Sequence, residues 1–181
     1  MSEAYKIQDK LKLYFVTTTV VEWIDIFDKK VYKDIIVDSL NYCIEKKGLE
    51  VYSWVIMSNH IHLIIGSEQN NLSDIIRDFK RFTSIKIIQQ LKNSTQDNRR
   101  EWILPILRNN GLKNPANSNN QMWQQPYFAK EIFTMDFLFQ KLNYIHMNPV
   151  RAGIVDEPKH YKYSSAGDYC GNKGLVEVKI I

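Results

Sequence analysis

The chain is poor in the residues and runs that would place it in several large protein classes. Among its 181 residues are two cysteines, Cys43 and Cys170. They lie far apart and match neither a zinc spacing nor a disulfide-dense scaffold, so a reducing compartment is expected. No GxxxxGK[ST] loop occurs, which removes the phosphate cradle of the common nucleotide hydrolases. The longest uncharged apolar stretch, residues 55–65, is interrupted by Ser58, Asn59, His60 and His62, and no basic segment followed by an apolar one opens the sequence. The expectation is a cytoplasmic protein without a membrane span. No internal repeat is visible either. What is present is ordinary globular composition, 44% apolar and 24% charged, which suits a single domain over residues 1–181. A formal charge of +4 is compatible with a polyanionic partner but does not demand one.

Residues 11–21, LKLYFVTTTVV, are β-branched and aromatic and read as a first strand. Over residues 30–47 the positions Tyr32, Ile35, Ile36, Leu40, Cys43 and Ile44 recur at helical spacing, with Gly48 as the stop. Residues 49–57 and 60–66 are two β-rich runs separated by Ser58 and Asn59, the chemistry of a tight hairpin. Leu72, Ile75, Ile76, Phe79, Phe82 and Ile88 then mark a second amphipathic helix ending near Asn93. Arg77, Lys80, Arg81 and Lys86 charge its other faces, a candidate surface for a nucleic-acid backbone.

Residues 94–125 are polar and Asn-rich and read as a flexible insertion, with Trp102 and Leu104 pinning its start. Residues 127–133 give a fourth strand. Thr134 is the expected N-cap of a third helix running to about Asn148, where Pro149 discourages continuation. After Arg151 the chain reads as an irregular tail with a short last strand at 175–180. The order fits an α+β ferredoxin-like sandwich, an antiparallel β-α-β-β-α-β sheet with helices on one face, plus an extra C-terminal helix.

Two side chains in a strand at i and i+2 share a face, so His60 and His62 present neighbouring imidazoles that can grip one divalent ion. Hydrogen bonds alone would satisfy such a pair equally well. On the third helix, at about 100° per residue, Leu138, Leu142 and Ile145 form the packed stripe. Tyr144, Asn148 and Lys141 fall together on its edge at about 240°, 280° and 300°, while His146 at about 80° lies on the far side and is given a structural or surface role.

Two segments, MSNHIHLII at 57–65 and LNYIHMNPVRAGIV at 142–155, occur in this order together with Trp123, Gln124 and a tail containing Pro158, Tyr161, Tyr163, Ser164 and Ser165. In these the chain resembles the IS200/IS605-like single-tyrosine (HUH) transposase superfamily, closest to the branch associated with repetitive extragenic palindromes (REP). The resemblance implies Tyr144 as the catalytic nucleophile that forms a 5′-phosphotyrosine on single-stranded, hairpin-containing DNA. It implies His60 and His62 as ligands of Mg²⁺ or Mn²⁺, and Asn148 as third metal ligand where relatives carry a glutamine. The expected DNA contacts are Arg77, Lys80, Arg81, Lys86 and Lys141, and the expected assembly is a monomer or a homodimer. Two other readings are a hairpin-binding protein of the same fold that does not cut, and a metal-dependent phosphoesterase that uses water.

Overall fold

A computed structural model describes residue 7 and residues 12–114 and 119–181. The chain opens with strand β1 (Leu13–Thr19), two short 3-10 turns and helix α1 (Lys30–Lys47), which ends where Gly48 takes the left-handed conformation at φ 69°. Strands β2 (Leu49–Ile56) and β3 (His60–Ser67) form the expected hairpin. The Met57 N–H donates to the His60 carbonyl at 2.8 Å across Ser58 and Asn59. Helix α2 (Leu72–Asn93), helix α3 (Arg100–Leu112), strand β4 (Phe128–Ile132) and helix α4 (Met135–Arg151) follow.

The strands form one sheet in the order β2-β3-β1-β4, each antiparallel to its neighbour. Hydrogen-bond register and strand alternation sort the side chains onto two faces. Tyr14, Val16, Trp54, Ile56, Ile61 and Leu63 lie on one, all buried, beneath the paired helices α1 and α2. Phe15, Thr17, Ser53, His60, His62 and Ile64 lie on the other, which α4 covers. A bulge between Val51 and Ser53 sets this register in β2, and without it Ser53 would face the opposite layer.

Five expectations need correction. Residues 94–125 contain helix α3, whose Ile103, Leu107 and Gly111, spaced four apart, are buried. Ile103 and Leu107 belong to the hydrophobic core, and a Cβ at Gly111 would stand 2.2 Å from the Asn119 carbonyl oxygen, so α3 packs closely on both the core and its own following loop. Trp102 is exposed and does not pin the segment. The stripe of α2 omits Phe82, which is half exposed, and includes Lys80 and Thr83.

Helix α4 also runs through Pro149 to Arg151 and closes at Gly153, at φ 68°. Pro149 is buried, and its carbonyl accepts the Ile154 N–H at 2.9 Å, so its ring is used as core instead of as a stop. Finally, residues 175–180 form no strand. The outer edge of β2 is met by the 161–165 segment, with the Ile56 N–H donating to the Tyr163 carbonyl and the Ser165 N–H to the Trp54 carbonyl, both at 3.0 Å, and by the Lys179 N–H, which donates to the Val51 carbonyl at 2.8 Å. Leu11 and residues 115–118 of the Asn-rich stretch lie outside the described residues.

Candidate active site

His60 and His62 project from one face of β3 with ring centroids 4.7 Å apart. Thr17 stands opposite His62 on β1, its Oγ1 2.7 Å from His62 Nδ1, and Phe15 stacks on the same imidazole at 5.5 Å. In the tautomer that donates Nδ1–H to the Thr17 hydroxyl, Nε2 keeps a lone pair. That nitrogen is buried and has no hydrogen-bond partner among the described residues. Burial, the neighbouring His60 and the Lys141 ammonium push the His62 imidazole down to about 3. It is therefore neutral at pH 7 and available as an electron-pair donor.

The tautomer of His60 follows from its partner. Its Nδ1 lies 2.7 Å from Asn59 Oδ1, and because a carboxamide oxygen only accepts, Nδ1 carries the proton and Nε2 is left bare. The amide is itself held, with Nδ2 donating to Asp25 Oδ1 at 2.8 Å and to the Trp23 carbonyl at 3.3 Å. Asp25 is braced in turn, since its carbonyl accepts Arg99 Nη1 at 2.8 Å while the same guanidinium grips the buried Asp97 carboxylate. Burial pulls His60 below the usual imidazole value, opposed by Asp25. Thr17 and Asp25 escaped the sequence reading because their partners are 45 and 34 positions away, and Asn59, next to His60, was read only as a turn residue.

Helix α4 brings Tyr144 to the same place. Its ring lies 5.2 Å from His62 and 6.0 Å from Phe15, edge-on to both. Lys141 Nζ sits 5.4 Å from the phenol ring and 4.8 Å from that of Phe15, and Arg151 Cζ lies 5.6 Å from the Tyr144 ring. Arg151 was not singled out in the sequence, and it reaches the site because the helix continues past Pro149. Asn148, one turn beyond Tyr144, is half-buried, and its carboxamide makes no hydrogen bond among the described residues, so it does not cap its own helix.

No cluster of three His, Cys, Asp or Glu side chains suited to a metal occurs among the described residues. The donors that fit a cation are two neutral imidazoles, with oxygen from Asn148 or from a substrate as the remaining source. His146 lies away from this centre, its Nε2 within 3.2 Å of Ser53 Oγ and 2.9 Å of Ser165 Oγ, in agreement with a structural role.

Residues 9–103, more than half of the chain, match a family described as Transposase IS200 like. The chain belongs to that family. The matched stretch carries both histidines and stops short of α4, so Tyr144 falls outside it. Among solved structures, a REP-associated tyrosine transposase bound to a REP hairpin superimposes with a TM-score of 0.61 at 15% identity, over 99% of this chain and 92% of that one, a likeness of fold. A candidate transposase from Deinococcus radiodurans R1 gives 0.45 at 18% identity, over 80% of this chain and 92% of that one. No curated protein matches. No described helix of the transposase is long and apolar enough to cross a membrane.

The basic residues of α2 divide into two groups in this transposase. Arg77, Arg81 and Lys86 are exposed, although Arg77 is already paired with Asp74 and Asp78. Lys80 departs from expectation. It is only 8% exposed, its Nζ donates to the Gln124 carbonyl at 3.3 Å and lies 4.7 Å from the Tyr127 ring, and burial pushes it down to about 8. It falls on the buried arc between Phe79 and Thr83, so it serves packing more than it offers a phosphate contact.

Proposed function

We propose that this transposase cleaves and rejoins single-stranded, hairpin-containing DNA through a covalent 5′-phosphotyrosine at Tyr144, with Mg²⁺ or Mn²⁺ held by His60, His62 and Asn148. The observation that carries the reading is Tyr144 seated with its ring centroid 5.2 Å from that of His62, whose buried Nε2 has no hydrogen-bond partner among the described residues. When bound, the cation would neutralise charge on the non-bridging oxygens of the scissile phosphate. His60 and His62 would hold it through their Nε2 lone pairs, with Asn59 and Thr17 set against the two Nδ1 atoms.

Tyr144 loses its phenolic proton and its oxygen bonds to phosphorus. The bond from phosphorus to the 3′ oxygen breaks, and that oxygen takes up a proton to become a free 3′-OH. Attack by a 3′-OH on the phosphotyrosine reverses the step, which conserves the phosphodiester bond energy and agrees with the missing phosphate loop. Lys141 and Arg151, on either side of Tyr144 along α4, place positive charge where the phosphate must sit. The neighbour solved with a REP hairpin supports a hairpin as substrate. The rings of His60, His62 and Tyr144 come together within one chain.

The test is incubation with labelled single-stranded hairpins from the DNA flanking the gene, with a divalent cation, followed by denaturing electrophoresis. A DNA–protein adduct is expected for the natural chain and none for Tyr144→Phe, whose hairpin affinity stays within about twofold because only the hydroxyl is lost. Cleaved DNA without any adduct would assign the attack to water. Binding without cleavage would make the protein a non-cutting hairpin binder.

A further inference from the structure

Exposed aromatic side chains stand on both sides of the centre. On one side Phe133, 71% exposed, stacks on Phe137 with centroids 5.9 Å apart and planes 20° apart. Lys130 Nζ and Lys141 Nζ lie 4.8 and 5.3 Å from the Phe137 ring, and neither ammonium has a carboxylate within ion-pair distance among the described residues. On the other side Trp23, 60% exposed, meets the edge of His60 at 6.3 Å. Trp23 and Glu22 both have positive φ, 55° and 53°, a conformation that is costly for residues other than glycine and that here presents the indole outward. Along α4, Phe137, Lys141, Tyr144, Asn148 and Arg151 follow at intervals of three or four residues, one stripe in which rings alternate with cations and an amide.

A partner that is merely apolar would cover Phe133 but would strip water from two ammonium groups and return nothing for it. Single-stranded DNA supplies both halves, a flat π face for each ring and a phosphate for each lysine, whereas in a duplex the base faces are already occupied. Phe137 lies about 10 Å along the helix from Tyr144, so a strand with its phosphate at the tyrosine carries the adjoining nucleotides past it.

Building on the function proposed above, we propose that the unpaired strand crosses the site between two stacking platforms, one flanking base on Phe133 and Phe137 and a base on the opposite side of the cleaved phosphate on Trp23. Lys130 and Lys141 hold the backbone on the first side.

Anisotropy titrations in a non-cleaving Tyr144→Phe background, using the hairpin with its unpaired flanks, test this. Phe133→Leu and Trp23→Leu should each weaken binding about tenfold, as for the loss of one base stack, while Phe133→Tyr binds within about twofold of its parent. An abasic nucleotide on one flank should produce the Phe133→Leu loss and add nothing to it, and an abasic nucleotide on the other flank should do the same for Trp23→Leu. Unchanged binding by the leucine variants, losses that add at every position, or both residues coupling to one flank would overturn the proposal. So would a dimer that Phe133→Leu converts to monomer in light scattering, which would assign the surface to a second copy. An adduct that forms normally while Phe133→Leu and Trp23→Leu bind unchanged removes the platforms and leaves the tyrosine reading standing. Base-dependent binding with no adduct does the opposite.

Discussion

Asn59 and Thr17 show how much of this centre rests on side chains that stand behind the two imidazoles. Each meets the Nδ1 of one histidine with a neutral group, Asn59 fixing the His60 tautomer and Thr17 accommodating the one that leaves His62 Nε2 bare. Asn59→Ala should therefore lower divalent-cation affinity about 10–100-fold by calorimetry while the thermal midpoint barely moves, since the residue is not buried. Asp25→Ala should give a smaller loss, because it only frees the amide to turn. An Asn59→Ala chain that binds cations like the natural one would remove the second layer from the account. The histidines themselves were readable from their i, i+2 spacing and the tyrosine from its motif. Their supports were not, because Thr17 and Asp25 sit in segments whose composition announces only strand and turn.

Helix α4 depends on how it is docked. His146 ties it to Ser53 and Ser165, its ring packs on Tyr169 at 5.1 Å, and burial pushes the imidazole down to about 4. A histidine whose pKa is lowered on folding takes up its proton more readily in the unfolded chain. Its contribution is complete above the unfolded value of about 6.5 and is lost as pH falls toward about 4. The His146 share of the drop should be on the order of 3 kcal/mol across that window, and His146→Gln should make the profile shallower in denaturant titrations, with His62 supplying the slope that remains. If the variant follows the parental curve, some other group governs the acid response. For α3, Ile103→Ala and Leu107→Ala should each cost about 2–5 kcal/mol in the same titrations, the size expected for opening a cavity in a core. Costs below about 0.5 kcal/mol would mean that the segment is an appendage after all. The sequence hid α3 because Pro105 and a run of amides outweighed three small or apolar positions four residues apart.

For the molecule as a whole, affinity for DNA should fall steeply with salt, since phosphate contacts release counterions. Arg81→Ala and Lys86→Ala should weaken binding to all hairpins alike and each lower the salt slope by about one, whereas Lys80→Met should leave the slope unchanged because that cation is buried. A slope altered only by Lys80→Met would reverse this assignment of the surface. The hairpin, the limits of α1 and α2 and the cap of α4 at Thr134 were set by local signals that survive in one dimension: alternation, helical period, Gly48 and a hydroxyl accepting the Phe137 N–H at 3.2 Å. The course of α4 through Pro149, the burial of Lys80, the bracing of His60 and the ring of cations about Tyr144 were decided by tertiary packing. Each depends on which distant segment fills the space beside a residue, and a side chain's own sequence neighbours carry no record of that.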